Sequence, residues 1–447
     1  MCLTGLFSIA LGIVFGSLFV GLVTTCFGFL LCLMTTRLGG NPTITALASV
    51  SFAVGILVAT IIYFGYMSDY GMPYWVTGLD DMMLENDARQ CVAKGYYSVY
   101  DMVNGTTSRE QLHNTKGYVI FLSYLIRIGE MLDGYHTMVP RIINIFLLDT
   151  IALLVVRLFL EKHEKEQKIA CLLFCFIALF PNLLYIASHV YRDVMAAFFL
   201  VVVYYIFDRK WKASRTVPFV CITALVLFCA YWVRESLLIF LIGIILVSII
   251  FKLPKRTRRR QIRVVSFTVA VVCIVVVAFT LVQFGDTIIY YLTRYTERLS
   301  SSESGIVAAI YSLPLLPFGI LARFVAYLIT PFYYATVFNV GEWITSTYAI
   351  CSVVISFGTV YLVSQYYYLV KGWFADRKVV MITILLVIGI VLTTFGYRHV
   401  VMIYPFLFLA IIEGKMALGA FDNRKLFMQP VIIGCLYVAF FAIMFIV

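Results

Sequence analysis

Apolar windows of close to twenty residues recur along nearly the whole chain, with short polar gaps between them. That pattern predicts helices at about 5–35, 44–66, 139–160, 168–187, 191–208, 216–234, 236–252, 264–284, 343–370, 378–396, 399–413 and 428–447. Two further apolar segments do not fit as simple crossings. Residues 117–134 read as an interfacial helix packed on the bundle, and residues 305–340, broken by Pro314, Pro317 and Pro331, read as a hairpin or re-entrant pair lining a cavity. The N-terminal run from Met1 to Met34 shows no cleavage-like site, so it is read as a retained helix.

Composition turns these helices into membrane spans. The 447 residues are 62% hydrophobic and 13% charged, where a soluble domain carries about 25% charged residues. A soluble core cannot hide so much apolar surface. In lipid every backbone amide must be paired internally, and the alternating ten-residue segments of a barrel are absent. The expected fold is therefore all-α, a polytopic bundle of about 12 spans forming one transmembrane domain over 1–447. Most of the 11 cysteines sit inside apolar runs, which implies helix packing and no disulfide framework.

The net charge of +11 suggests nucleic acid until the positions of the cations are considered. Of the 34 lysines and arginines, 21 fall at Arg37 and in the gaps 161–168, 209–215, 252–263, 371–378 and 415–425, so membrane orientation explains them better and no nucleic-acid partner is expected. Placing these gaps in the cytoplasm puts both termini outside. It also makes 67–138 a large ordered extracytoplasmic loop and 285–342 a second extracytoplasmic or re-entrant segment, in which 293–305 is polar enough to be a mobile loop. Chemistry is sought first in the larger loop.

There the string TGLDDMMLENDARQCVAKG reads as a short helix opening at Thr77 or Gly78 and closing at Gly95, with Asp80 and Asp81 in its first turn. A purely structural account is available: acids at a helix N-terminus offset the macrodipole, and Glu85 to Arg89 is a favourable i,i+4 pair. The string Asp80-Asp81, with Ala88-Arg89 and Gly95 behind it, also resembles the acidic motif after the first conserved span of the C-type (GT-C) membrane glycosyltransferases, such as the protein O-mannosyltransferases and the aminoarabinose transferases of lipid A. The likeness continues through GYVIFLSYLIRIGEMLDGYHTMVPRIINIFL, FPNLLYIASHVYRDVMAAFF and FGYRHVVMIYPFLFLA, covering about 60–415. The chain departs from that pattern in carrying Asp81 where glutamate is usual, Met82-Met83 in place of an aromatic pair, and one extra preceding span.

The resemblance implies sugar transfer from a polyprenyl-phosphate donor to an extracytoplasmic glycan, lipid or protein acceptor. Asp80 then matches the catalytic base, and Asp81 a companion that orients the acceptor or shifts the pKa of its partner. A single direct displacement would invert the anomeric carbon. A departing phosphate needs cations, and arginine grips its oxygens bidentately. The arginines expected at the outer mouth are Arg192 beside Asp193, Arg234 beside Glu235, Arg323, and Arg398 between Tyr397 and His399, where relatives hold a donor-phosphate arginine. Pairing with Asp193 or Glu235, or snorkelling, is the bland account of Arg192 and Arg234. His189 and His399 are read as packing or hydrogen-bonding residues before ligands. A divalent metal is left open, with no dedicated ligand set in the sequence.

Two other jobs fit a many-span protein. A polysaccharide polymerase or ligase of the Wzy type usually places its large loop late in the chain, whereas here the long loop comes early. A lipid-linked-sugar flippase or transporter tends to show internal repeats, and no matching halves of hydropathy are visible.

Overall fold

The 25 residues Met138–Lys162 are apolar on every side and nearly all buried, so this helix is the one the others surround. The computed structural model describes residues 2–38, 41–75, 80–105, 116–208, 216–252, 346–393 and 397–419, with isolated positions between 310 and 325 and between 431 and 435. All elements among them are helical. In chain order they are α1 (Cys2–Phe15), α2 (Leu18–Leu38), α3 (Pro42–Tyr70), α4 (Asp80–Ala93), α5 (Val99–Gly105), α6 (Lys116–Glu130) and the central α7 (Met138–Lys162). They continue as α8 (Gln167–Ala178), α9 (Pro181–Ala187), α10 (Asp193–Asp208), α11 (Thr216–Val233), α12 (Leu237–Lys252), α13 (Thr347–Ala375) and α14 (Arg377–Thr393). A 3₁₀ turn, η1 (Tyr397–Met402), leads into α15 (Tyr404–Ala417).

Four of these helices, α2, α3, α7 and residues 347–372 of α13, are long and apolar enough to cross a membrane, and the bent pair α8–α9 makes a fifth. The expected helices 264–284 and 428–447, and the segments 285–342 and 305–340, lie wholly or almost wholly outside the described residues.

Several boundaries differ from expectation for local reasons. The single helix expected over 5–35 is two, because Gly16 adopts the left-handed φ of 57° and the chain doubles back. The turn brings Gly12 and Gly21 together: a Cβ on Gly12 would lie 3.7 Å from the Gly21 Cα. The Asp133 carboxylate caps the start of α2, accepting from the backbone N–H groups of Leu18 and Phe19. The helix expected over 168–187 bends by 49° where Leu179-Phe180 precede Pro181, which cannot accept the α-conformation behind it. The span expected over 399–413 is in fact the 3₁₀ turn followed by α15, with Pro405 in the first turn of the α-helix.

Contacts between helix ends define two poles. At one, the α13 N-terminus is capped by Asp69 in the last turn of α3, which accepts from the Thr347 N–H at 2.7 Å, and Trp75 stacks on Tyr348 with centroids 4.4 Å apart. At the other, Lys162 of α7 pairs with Asp376 and lies 3.6 Å from Glu413, His163 lies 3.1 Å from Glu413, and Lys378 pairs with Asp208. Glycines set the closest helix approaches, above all Gly372 against Gly414 between α13 and α15. The flanks are apolar and uncovered, for example Ile13, Leu57, Ile61, Phe357 and Val370, each more than half exposed.

Candidate functional site

Helix α4 starts just past the end of α3 and begins with the two aspartates. Its inward face is Asp81, Glu85, Ala88 and Cys91, a helical spacing that packs on Tyr118, Val119, Leu122 and Ile126 of α6. The Ser123 hydroxyl joins the two helices by donating to the Ala88 carbonyl at 3.3 Å. Adjacent positions on a helix point about 100° apart, so the aspartates part company. Asp80 is 59% exposed, whereas Asp81 is buried.

Burying Asp81 and Glu85 with the apolar face is costly unless they find partners. The Asp81 Oδ1 accepts from the Met82 N–H at 2.9 Å. Glu85 Oε1 accepts from the Thr137 hydroxyl at 2.9 Å and from Arg89 at 2.8 Å, the i,i+4 pair expected from the sequence. Beneath them Arg141, in the first turn of α7, is fully buried, donates to the Pro73 carbonyl and lies 5.6 Å from the Tyr63 ring. The second oxygens of Asp81 and Glu85, and the Nε and Nη1 of Arg141, have no hydrogen-bond partner in the protein. Burial pushes the Asp81 carboxyl up to about 6, against the opposing pull of Arg141, the Met82 N–H and Arg398.

The second half of the site comes from three corners of the bundle at the same pole. Arg398 of η1 forms an ion pair with Asp80, 318 positions away in sequence, and its guanidinium lies 4.6 Å from the centre of the Tyr191 ring. Tyr191 stacks on His189 at 5.1 Å, and Asn144 of α7 fixes this corner by donating to the carbonyls of His189 and Tyr191 at 2.9 and 3.0 Å. The His189 Nδ1 faces the Tyr185 carbonyl at 2.7 Å, which makes it the protonated nitrogen. At the α11–α12 corner, Arg234 Nη1 lies 3.4 Å from Asp193 Oδ1, and His399 Nε2 lies 3.8 Å from the same oxygen. Arg192 is within electrostatic reach of Arg234, Asp193, Arg398 and Asp80. Burial works against the charge of Arg398, but Asp193, Tyr191 and Asp80 outweigh it and raise its pKa.

Asp80, Asp81, Glu85, His189, Arg192, Asp193, Arg234 and Arg398 therefore meet at one pole. Glu235 does not take part: it is exposed, and Arg234 pairs with Asp193 in place of its neighbour in sequence. Arg323 is buried, but in a stretch of which only isolated positions are described. Tyr397 opens η1, and its side chain is outside the described residues. Arg141, Tyr191, Asn144 and Thr137 were not legible as site residues. Arg141 left one signal, a cation in the first turn of a largely apolar helix.

An exposed carboxylate beside guanidinium groups sets a proton acceptor next to cations that can bind an anion. Among the described residues, no group of three His, Cys, Asp or Glu side chains converges to hold a metal ion. The chain is all-helical among its described residues, with several helices fit for membrane insertion and a carboxylate–arginine cluster at one end. No family model, no curated protein and no solved structure matches it.

Proposed function

We propose that the protein is a multi-pass membrane glycosyltransferase of the GT-C type, with about 12 spans and its site on the extracytoplasmic side. It moves a sugar from a polyprenyl-phosphate donor to an extracytoplasmic acceptor. The observation that carries this reading is the Asp80–Arg398 pair, with Arg192 and Arg234 gathered beside it around Asp193. The sidedness is supported by the cationic connections 162–168 and 376–378, whose ends gather at the pole opposite Asp80. In this topology α6 lies along the membrane surface, exposing Tyr124 and Ile128 on its free face, with Met131 exposed in the turn that follows.

Asp80 removes the proton of the acceptor hydroxyl as that oxygen bonds to the anomeric carbon from the side opposite the donor phosphate. The bond from that carbon to the phosphate oxygen breaks, and the phosphate leaves with the electron pair. Arg398, Arg192 and Arg234 offset the growing phosphate charge. Attack from the opposite face inverts the anomeric centre.

The test uses the full chain in nanodiscs with a panel of labelled polyprenyl-phosphate sugars and the extracted envelope glycans as acceptors. Asp80→Asn is expected to lower turnover by about 10²–10⁴-fold while donor binding persists. Turnover equal to that of the parent protein would remove Asp80 from the chemistry and overturn the reading.

A further inference from the structure

We infer that Asp193 is the positioning residue that keeps the phosphate-binding guanidinium groups in place while Asp80 is released for proton transfer, an inference that rests on the function proposed above. Arg398 answers to two acids of different character. Asp80 contacts it directly at the mouth and is 59% exposed, whereas the side chain of Asp193 is 4% exposed and acts from beneath.

An incoming donor phosphate competes with Asp80 for the Arg398 guanidinium. An exposed ion pair exchanges partners readily, since water takes up the freed carboxylate. Asp193 has no such exit. It sits in the first turn of α10, with Arg234 of the α11–α12 corner at 3.4 Å and His399 of η1 at 3.8 Å. One buried carboxylate thereby pairs with the α11–α12 corner and, through its charge, holds Arg398 of η1 as well. The Tyr191 ring, 4.6 Å from the Arg398 guanidinium, fixes the plane of that group, and His189 and Asn144 fix the ring in turn. Arg398 therefore stays oriented toward the phosphate after Asp80 lets go. The same binding event that seats the donor uncovers the base.

The two aspartates should consequently fail in different ways. Asp193→Asn keeps the shape of the side chain and removes its charge. It is expected to raise KM for the polyprenyl-phosphate donor about tenfold or more with kcat within about threefold, whereas Asp80→Asn lowers kcat and leaves KM unchanged or lower. Asp193→Glu keeps the charge but displaces it by one methylene, and is expected to give a KM between those of the parent and Asp193→Asn. A substrate-free readout runs alongside: phenylglyoxal modification of Arg234 and Arg398, mapped by mass spectrometry in nanodiscs, should become several-fold faster in Asp193→Asn. If the parent protein turns over no donor, the function proposal fails, and the modification rates alone still decide the role of Asp193. Unchanged rates at both arginines, or an unchanged KM with a reduced kcat, overturn it. If Asp193→Asn is not recovered as a monodisperse protein, Asp193→Glu decides on the same measurements, with intermediate KM and reactivity expected and parent-like values counting against the inference.

Discussion

Asp81→Asn should make the protein more stable relative to the parent as pH rises, and the size of the effect follows from where Asp81 sits. Its carboxyl is buried on the inner face of α4 and is pushed from 3.8 up to about 6, chiefly by loss of water. In the folded protein the ionised form is therefore the disfavoured one, and unfolding releases a proton that folding retains. The penalty is absent below pH 4, grows as pH climbs, and is complete once pH exceeds about 6. The gap between the two pKa values corresponds to about 3 kcal/mol in full, of which about 2 kcal/mol develops between pH 4.5 and 7.5. Asparagine keeps an oxygen to accept the Met82 N–H and cannot ionise. Any cost of its buried amide group is the same at every pH, so the comparison rests on slope. Thermal unfolding of both proteins in detergent across that range measures it. A difference between them that is flat with pH, or that moves against Asp81→Asn on going to pH 7.5, would refute the reasoning.

Two packing predictions follow from the bundle. A Cβ on Gly414 would lie 2.0 Å from the Tyr368 carbonyl oxygen and 2.7 Å from the Gly372 nitrogen, both backbone atoms that cannot turn aside, so Gly414→Ala should cost about 3 kcal/mol and lower Tm. Gly5→Ala meets nothing within 4 Å and should be neutral or gain up to about 1 kcal/mol in the same melts. Ser51→Ala removes the hydroxyl that donates to the fully buried Asp149 at 2.7 Å, leaves that acid without a partner, and should cost about 1–3 kcal/mol, with the double variant Ser51→Ala/Asp149→Leu recovering most of it.

Lengths of apolar run were enough to place most of the described helices, because long apolar runs with internally paired backbone have little choice but to be helical. Hydropathy could not show Gly16 turning the chain, since glycine is unremarkable in a membrane helix and its φ is set by the packing around it. The acids of α4 and Arg398 were legible through a resemblance carried by short strings; on spacing alone Asp80 and Asp81 read as helix-capping charges. What the sequence hid was depth. Nothing in the run DD distinguishes the exposed Asp80 from the buried Asp81, which depends on the angle at which α4 meets α6. Arg141 lies near the start of a span, where snorkelling is ordinary, and only in the fold is it fully buried and bonded to the Pro73 carbonyl. Arg234 takes Asp193 instead of the adjacent Glu235 because the α11–α12 corner turns the neighbouring acid outward.

The ion pairs at the pole away from Asp80 have a mechanical consequence. Lys162, His163, Asp376, Lys378, Asp208 and Glu413 fasten the ends of α7, α10, α14 and α15 to one another. If the ties at the other end, Thr137 to Glu85 and Asn144 to the His189 and Tyr191 carbonyls, are released, the helices pivot about these ion pairs. With 25 residues, α7 is a lever of roughly 37 Å, so a tilt of about 5° about the fastened end opens roughly 3 Å beside Arg141. A tilt of that size needs no helix unwinding and leaves the fastened end shut.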